Sequence, residues 1–189
     1  MNLNPYGYLE IILGPMFSGK TSELIRLYHN YNLCGIPVCV INYYLDTRYD
    51  TVKLSTHDRK MIDCIQLKSL REITQEVIHS NDVFLINEVQ FFDSDELQDV
   101  VLDLVENKSK TVYLCGLDGT FCREPFQGMG LLKLIPKADN VRKLQAICTS
   151  CKKRKAPFTM RVGKDKKEVL IGSEQYRAVC RSCFQIYHN

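Results

Sequence analysis

Residues 8–21 decide the fold: Tyr8-Leu-Glu-Ile-Ile-Leu13, followed by Gly14-Pro-Met-Phe-Ser-Gly19-Lys20-Thr21. The first six are apolar and rich in strand formers, and they run straight into a glycine. The next eight match the pattern G-x-x-x-x-G-K-S/T. That spacing has a chemical reason. Glycines let backbone N–H groups turn inward around phosphate oxygens, the lysine reaches the outer phosphates, and the threonine hydroxyl is a ligand for Mg2+. A helix starting there adds the positive end of its dipole. Gly14, Pro15, Met16, Phe17, Ser18, Gly19, Lys20 and Thr21 are therefore the candidate phosphate loop, with Thr21 also the candidate Mg2+ ligand. Leu24, Leu27, Tyr28 and Tyr31 recur at spacings of three and four, which predicts the helix. Gly35 is placed to end it, and Pro37 forbids its continuation. Val38-Cys-Val-Ile41 reads as a second buried strand, completing a βαβ unit with parallel strands.

The alternation continues outward. Residues 43–66 are polar and mixed and read as an excursion from the core. Ser69 and Glu72 form a capping box ahead of a helix marked by Leu70, Ile73 and Val77. Val83-Phe-Leu-Ile86 is a further apolar strand. Asp93 and Glu96 are placed to cap the next helix, whose stripe is Leu97, Val100, Val101, Leu104 and Val105. Thr111-Val-Tyr-Leu-Cys115 is another strand. The pattern predicts an α/β fold, a mostly parallel sheet of the P-loop NTPase type flanked by helices. After Gly116 the chain is rich in Gly, Pro and Phe and loses its periodicity, and beyond Leu144 it turns basic. Two domains are expected: residues 1–145 for nucleotide binding and a small one at 146–189.

The 189 residues suffice for such an arrangement. With 45% hydrophobic and 25% charged residues, wholesale disorder is excluded. No apolar run reaches the roughly 18 residues of a membrane helix. Met1-Asn-Leu-Asn-Pro5 lacks the basic and apolar regions of a signal peptide. A formal charge of +3 leaves no strong nucleic-acid or membrane footprint. A cytoplasmic protein without a membrane or nucleic-acid partner is the expectation.

A phosphate loop of this kind works with a second strand that ends near an acid. The apolar run Val83–Ile86 ends in Asn87, and Glu88 is the first carboxylate after it. Glu88 is placed either to serve the metal or to act as general base on a substrate hydroxyl. Asp46 and Arg48 follow the second strand, where loops at the carboxyl ends of parallel strands face the ligand crevice. A metal-assisting acid with a phosphate-binding arginine and a surface ion pair both fit that position.

Nine cysteines, an odd number without a secretory signal, argue against a disulfide framework. Cys148-x-x-Cys151 and Cys180-x-x-Cys183 are two knuckles. Four thiolates close a tetrahedral Zn2+ site with no open position, which makes the metal structural. Lys152, Lys153, Arg154, Lys155, Arg177 and Arg181 surround them and favour thiolates. Two redox dithiols are the competing reading. Cys34, Cys39, Cys64, Cys115 and Cys122 read as small buried hydrophobes.

Taken in order, these segments resemble the thymidine kinases of type II, the zinc-containing class of animals, bacteria and large DNA viruses. The likeness runs from Tyr8 to Cys183. It rests on Gly14–Thr21, Asp46-Thr-Arg-Tyr49, Thr56-His-Asp-Arg59, Glu88-Val-Gln-Phe-Phe92, Leu117-Asp-Gly-Thr-Phe121, Pro125-Phe126, the paired cysteines, and Gly172 through Tyr176. The resemblance implies an enzyme that moves the γ-phosphoryl group of ATP to the 5′-hydroxyl of thymidine. It implies that Gly14–Thr21 hold the triphosphate and that Glu88 is the general base. Gln90 and Phe91 then lie beside Glu88, while Asp46, Arg48 and Asn87 serve phosphate and metal. Leu117, Phe121 and Phe126 wall the base. A lasso loop from Thr159 to Tyr176, with Leu170, Ile171 and Gly172, closes over the nucleoside, and Tyr176 reaches it. It further implies structural Zn2+, Mg2+ with ATP, a homotetramer and feedback inhibition by dTTP.

Three departures stand out. Asn87 replaces the usual Asp and brings no charge to the metal. Val89 replaces a usual Gly, and a β-branched residue is strained wherever positive φ is required. The Gly172–Tyr176 stretch is one residue short, and one extra residue precedes Thr159. Two other readings stay open at this point: a nucleotide-binding homologue of poor activity, and a P-loop ATPase driving a nucleic-acid-binding zinc ribbon.

Overall fold

The computed structural model describes residues 3–44, 53–55, 61–126, 130–162 and 175–188. Asp46, Arg48, Leu170, Ile171 and Gly172 lie outside them, as do Thr56–Arg59.

Strand β1 (Tyr8–Leu13) leads through the loop to helix α1 (Lys20–Leu33) and strand β2 (Val38–Tyr43). Leu24, Ile25, Leu27 and Tyr31 are the buried face of α1. Gly35 takes a left-handed φ of 69° just after the helix ends. Of the stretch expected to leave the core, the described residues 53–55 and 61–66 belong to strands or the links between them. β3 (Lys53–Ser55) and β4 (Met61–Asp63) form an antiparallel hairpin whose Leu54 and Ile62 are buried. β5 (Ile65–Leu67) joins the main sheet beside β2. Single apolar residues spaced among charges carry no period, so their burial left no signal in the sequence.

The capping box forms at Ser69 and Glu72, but it opens only a 3-10 turn, Leu70–Glu72. Thr74 then accepts a hydrogen bond from the Val77 N–H and starts a separate helix, α2 (Gln75–Ser80). The single helix expected across Leu70, Ile73 and Val77 is therefore two pieces, because a second capping residue interrupts it. After β6 (Val83–Asn87), Asp93 caps α3 (Ser94–Leu102) by accepting from Asp95 N and Glu96 N. Glu96 does not cap its own helix. Its carboxylate reaches across to Ser69 and the Leu70 N–H. β7 (Thr111–Gly116), α4 (Gly130–Leu134) and β8 (Asn140–Lys143) complete the sheet.

The strand order is β5-β2-β6-β7-β1-β8, and every ladder is parallel. All residues of β6 and β7 are buried, as a sheet covered on both faces requires. One face packs under α2, α3 and α4; the other packs under α1 and the β3–β4 hairpin. Edge strand β8, whose residues carry no hydrophobic period, is pinned by charge: Arg142 pairs with Glu10 of β1 at 2.6 Å and with Glu23 of α1 at 2.8 Å.

The chain leaves the sheet at Leu144, whose N–H bonds the Leu13 carbonyl. Short ladders follow: β9 (Ala146–Ile147) with β10 (Lys155–Ala156), and β11 (Phe158–Arg161) with β12 (Tyr176–Val179), before helix α5 (Arg181–His188). A third apolar cluster, including Cys148, Met160, Val179, Cys180 and Phe184, lies here. Among the described residues no helix is long and apolar enough to cross a membrane.

Candidate active site

The ladder registers level the carboxyl ends of three strands. Leu13 of β1 stands opposite Gly116 of β7, and Asn87 of β6 opposite Cys115. The phosphate loop, Glu88 and the Leu117 segment therefore emerge along one rim, the position where parallel sheets bind ligands.

Gly19 is the N-cap of α1 with φ 84°, a conformation that costs a residue with a Cβ about 1–2 kcal/mol. Phe17 also has positive φ, 64°. Lys20 Nζ donates to the Pro15 carbonyl at 2.8 Å, which folds its ammonium back over the loop. The Met16 N–H donates to the Thr159 hydroxyl at 3.0 Å. Thr159 thus stands in β11 with its side chain against the phosphate loop.

Glu88 follows β6 in a left-handed conformation, φ 54°. Positive φ, which would strain Val89, falls on Glu88, and Val89 is a buried core residue in a 3-10 turn. No strain attaches to its β-branch. A non-glycine residue held at positive φ re-aims its side chain out of the strand direction, here toward the rim. Gln90 Nε2 donates to the Glu88 carboxylate, while Gln90 Oε1 accepts from the Leu117 N–H at 3.1 Å. Gln90 is thus a bridge that ties the carboxylate to the end of β7. Gly116 makes room for it: a Cβ there would meet Gln90 Oε1 and Val89 Cγ2, each at 2.8 Å. Beside Glu88, the Phe91 and Tyr43 rings lie 5.5 Å apart, and Tyr43 also packs edge-on to Phe92.

Asn87 is 2% exposed, and its amide donates to Asn42 Oδ1 at 2.9 Å. Asn42 in turn donates to Gln66 at 3.4 Å. The Asn87, Asn42 and Gln66 amides thus form a chain without formal charge. Cys115 of β7, between the Lys20 and Glu88 strands, has its thiol pushed up to about 12 by burial, which keeps it an inert core residue. Cys39 is likewise pushed up to about 12 by burial. Cys34 and Cys122, expected to be buried, are exposed.

On the other wall, the Arg161 guanidinium lies 3.9 Å from the centre of the Phe121 ring. It is 5.0 Å from the Tyr176 ring and donates to the Tyr176 hydroxyl. Leu117 is half-buried, and Phe126 packs against the main core. Asp118, next to Leu117, pairs with Lys143 at 2.6 Å. Arg161, Tyr43, Asn42 and Gln66 are the rim residues that sequence reasoning missed. Asn42 and Gln66 carried a signal, as polar residues near the carboxyl ends of strands. Arg161 carried none.

The Sγ atoms of Cys148, Cys151, Cys180 and Cys183 all lie within 4.8 Å of one another. A tetrahedral Zn2+ with Zn–S bonds of about 2.3 Å sets its sulfurs about 3.8 Å apart, and Cys151 and Cys180 are at 4.0 Å. Burial opposes ionisation of Cys148, but the N–H groups of Cys151, Cys180 and Ser150 hold its thiol down to about 6. Arg154 donates to Cys180. Amide donors and a guanidinium on sulfur are the surroundings a thiolate–metal centre uses. The four residues fit Zn2+.

A family model described as thymidine kinase matches residues 7–184. The chain is 42% identical over 181 residues to a thymidine kinase of Yaba monkey tumor virus, covering 94% of each chain. It is 40% identical over 181 residues to the cytosolic thymidine kinase of Homo sapiens, covering 94% of this chain and 73% of that one. Against the cytosolic thymidine kinase of Gallus gallus the figures are 39% over 183 residues, 95% and 78%.

Proposed function

The chain belongs to the thymidine kinase family, and on that premise we propose that it transfers the γ-phosphoryl group of ATP to the 5′-hydroxyl of thymidine, giving TMP. The observation that carries this is the shared rim, with Glu88, oriented by Gln90, level with the loop that bears Lys20. Phosphoryl transfer asks the protein mainly for position and charge. Residues 14–21 hold the triphosphate, with Lys20 leaving the Pro15 carbonyl for the outer phosphates. Glu88 takes the proton of the 5′-hydroxyl as the new bond forms. Phe121, Phe126 and Leu117 flank the base. Mg2+ bound with ATP supplies neutralisation of charge on the phosphate oxygens, and Thr21 is the residue placed to hold it. Asp46 and Arg48, and the lasso residues Leu170, Ile171 and Gly172, belong to this reading through the family likeness.

On this reading residues 1–145 hold ATP, Glu88 and the Leu117, Phe121 and Phe126 wall, and 146–189, closed by structural Zn2+, complete the nucleoside site. A cytosolic location is supported by the names of the animal relatives. The homotetramer and inhibition by dTTP rest on the likeness alone.

TMP formation from Mg-ATP and thymidine by the zinc-loaded protein tests the reading, with deoxycytidine and deoxyguanosine in parallel. Glu88→Gln is expected to lower kcat about 10^2- to 10^4-fold, the usual worth of a general base. Full turnover in Glu88→Gln would remove Glu88 from the chemistry. The neutral Asn87–Asn42 pair favours a second reading, a nucleotide binder of low turnover; in that case Asn87→Asp raises a weak wild-type rate.

A further inference from the structure

Two cation–π contacts of opposite direction join the segment after β7 to the cysteine-bearing region. In one, the ring belongs to the sheet side and the cation to β11: Arg161 covers Phe121 at 3.9 Å. In the other the roles reverse. Arg123 lies 4.3 Å over the ring of Phe184 and 5.5 Å from that of Phe158, and those two rings pack edge to face at 5.8 Å. Phe184 is 3% exposed and directly follows Cys183. Phe158 precedes Thr159, the partner of the phosphate-loop N–H at Met16.

The turn that presents Arg123 is built for one conformation. Thr120 N donates to the Glu124 carbonyl, Arg123 N donates to the Thr120 carbonyl, and the Thr120 hydroxyl accepts from Cys122 and Glu124. Arg123 itself holds φ 67°, a conformation that a non-glycine residue keeps only when its surroundings over-determine it. Nothing in the phosphate chemistry uses this arginine.

Resting on the thymidine kinase reading, we propose that Arg123 is a positioning residue for the nucleoside. Its guanidinium, seated on Phe184 and Phe158, fixes the 120–124 turn and so sets the Phe121 ring against which the base lies. The four-cysteine centre thereby acts on nucleoside affinity through Phe184, without touching the substrate.

Steady-state kinetics of the zinc-loaded protein tests this. Arg123→Ala is expected to raise the KM for thymidine about three- to ten-fold, the loss of one to two such contacts, with kcat and the KM for ATP unchanged. Arg123→Lys recovers part of the loss, since an ammonium also binds ring faces. Phe184→Leu gives the same split, and the double variant is no worse than either single one. Zinc content stays that of the parent. A readout free of substrate is alkylation of the exposed Cys122, scored by mass spectrometry against the exposed Cys34. Arg123→Ala speeds the first and leaves the second alone. An active wild type whose thymidine KM ignores Arg123→Ala overturns this inference alone, whatever Cys122 does. Equal losses in the ATP and thymidine constants, or additive single variants, also overturn it. A wild type with no thymidine turnover overturns the parent reading and this inference with it.

Discussion

The sheet and the cysteine-bearing region reach order by different routes. In the sheet, β6 and β7 are buried at every residue, and six strands are locked by parallel ladders between two apolar layers. In the cysteine-bearing region the ladders are two and four residue pairs long and rest on one small cluster. So little apolar burial rarely holds a fold alone, and the four converging cysteines fit a Zn2+ that would supply the missing cross-link. The Glu88 side of the rim thus rests on the packed sheet, and the Thr159 and Arg161 side rests on the small cluster beside the four cysteines. The Met16–Thr159 hydrogen bond and the Arg123–Phe184 stack are where the two meet.

Removing the metal breaks the comparison most severely. Structural Zn2+ contributes about 10–16 kcal/mol of apparent binding free energy in small domains. Chelation, or Cys151→Ser, should therefore abolish thymidine binding while the thermal unfolding of the sheet persists. Simultaneous loss of both, followed by calorimetry and circular dichroism, would show one cooperative unit in place of two. Gly116→Ala tests the packed half. Its Cβ would press on Val89 and on Gln90, which orients Glu88. A cost of about 1–3 kcal/mol, or roughly 2–10 °C in Tm, is expected, with a drop in kcat and little change in zinc content.

The smallest effect sharpens the comparison at the sheet edge. Arg26 and Arg142 hold the Glu23 carboxyl down to about 2, from 4.5 in the unfolded chain. Because the folded value is the lower one, the stabilisation is complete above 4.5 and is lost as the pH falls toward 2. Glu23→Gln should cost about 1–2 kcal/mol in urea unfolding at pH 7, and the same at pH 6 and pH 8. The gap from the parent should close as the pH approaches 2. A gap independent of pH would assign the effect to packing.

Those same two regimes explain what the sequence could reveal. Strands β1, β2, β6 and β7 and helix α1 were legible because buried apolar runs and a helical period are local patterns. Edge strands β5 and β8 were not, since their residues alternate poorly and their places depend on distant partners such as Glu10 for Arg142. The four cysteines were legible by spacing, and the structure clusters them. Gly14–Thr21 and Glu88 were singled out by type and order, and the strand registers bring both to one rim. The backbone twist at Glu88 was not: the residue placed next to it, Val89, drew the question because only glycine advertises positive φ in a sequence. Arg161 and Arg123 were two arginines among many until folding set rings beneath them.

The place of β1 in the sheet bears on how the chain is made. It precedes every other described strand in sequence, yet its neighbours are β7 and β8, at residues 111–116 and 140–143. Until residue 116 has been made, β1 has neither neighbour and its backbone groups wait in water or on a chaperone; its second neighbour follows only with residues 140–143. Nascent β2 and β6 can pair earlier. The loop of residues 14–21 follows β1 directly, so the sheet that anchors it closes only once β7 is present. A chain cut before residue 140 would keep β7 but leave an open β1 edge, an invitation to pair with other copies.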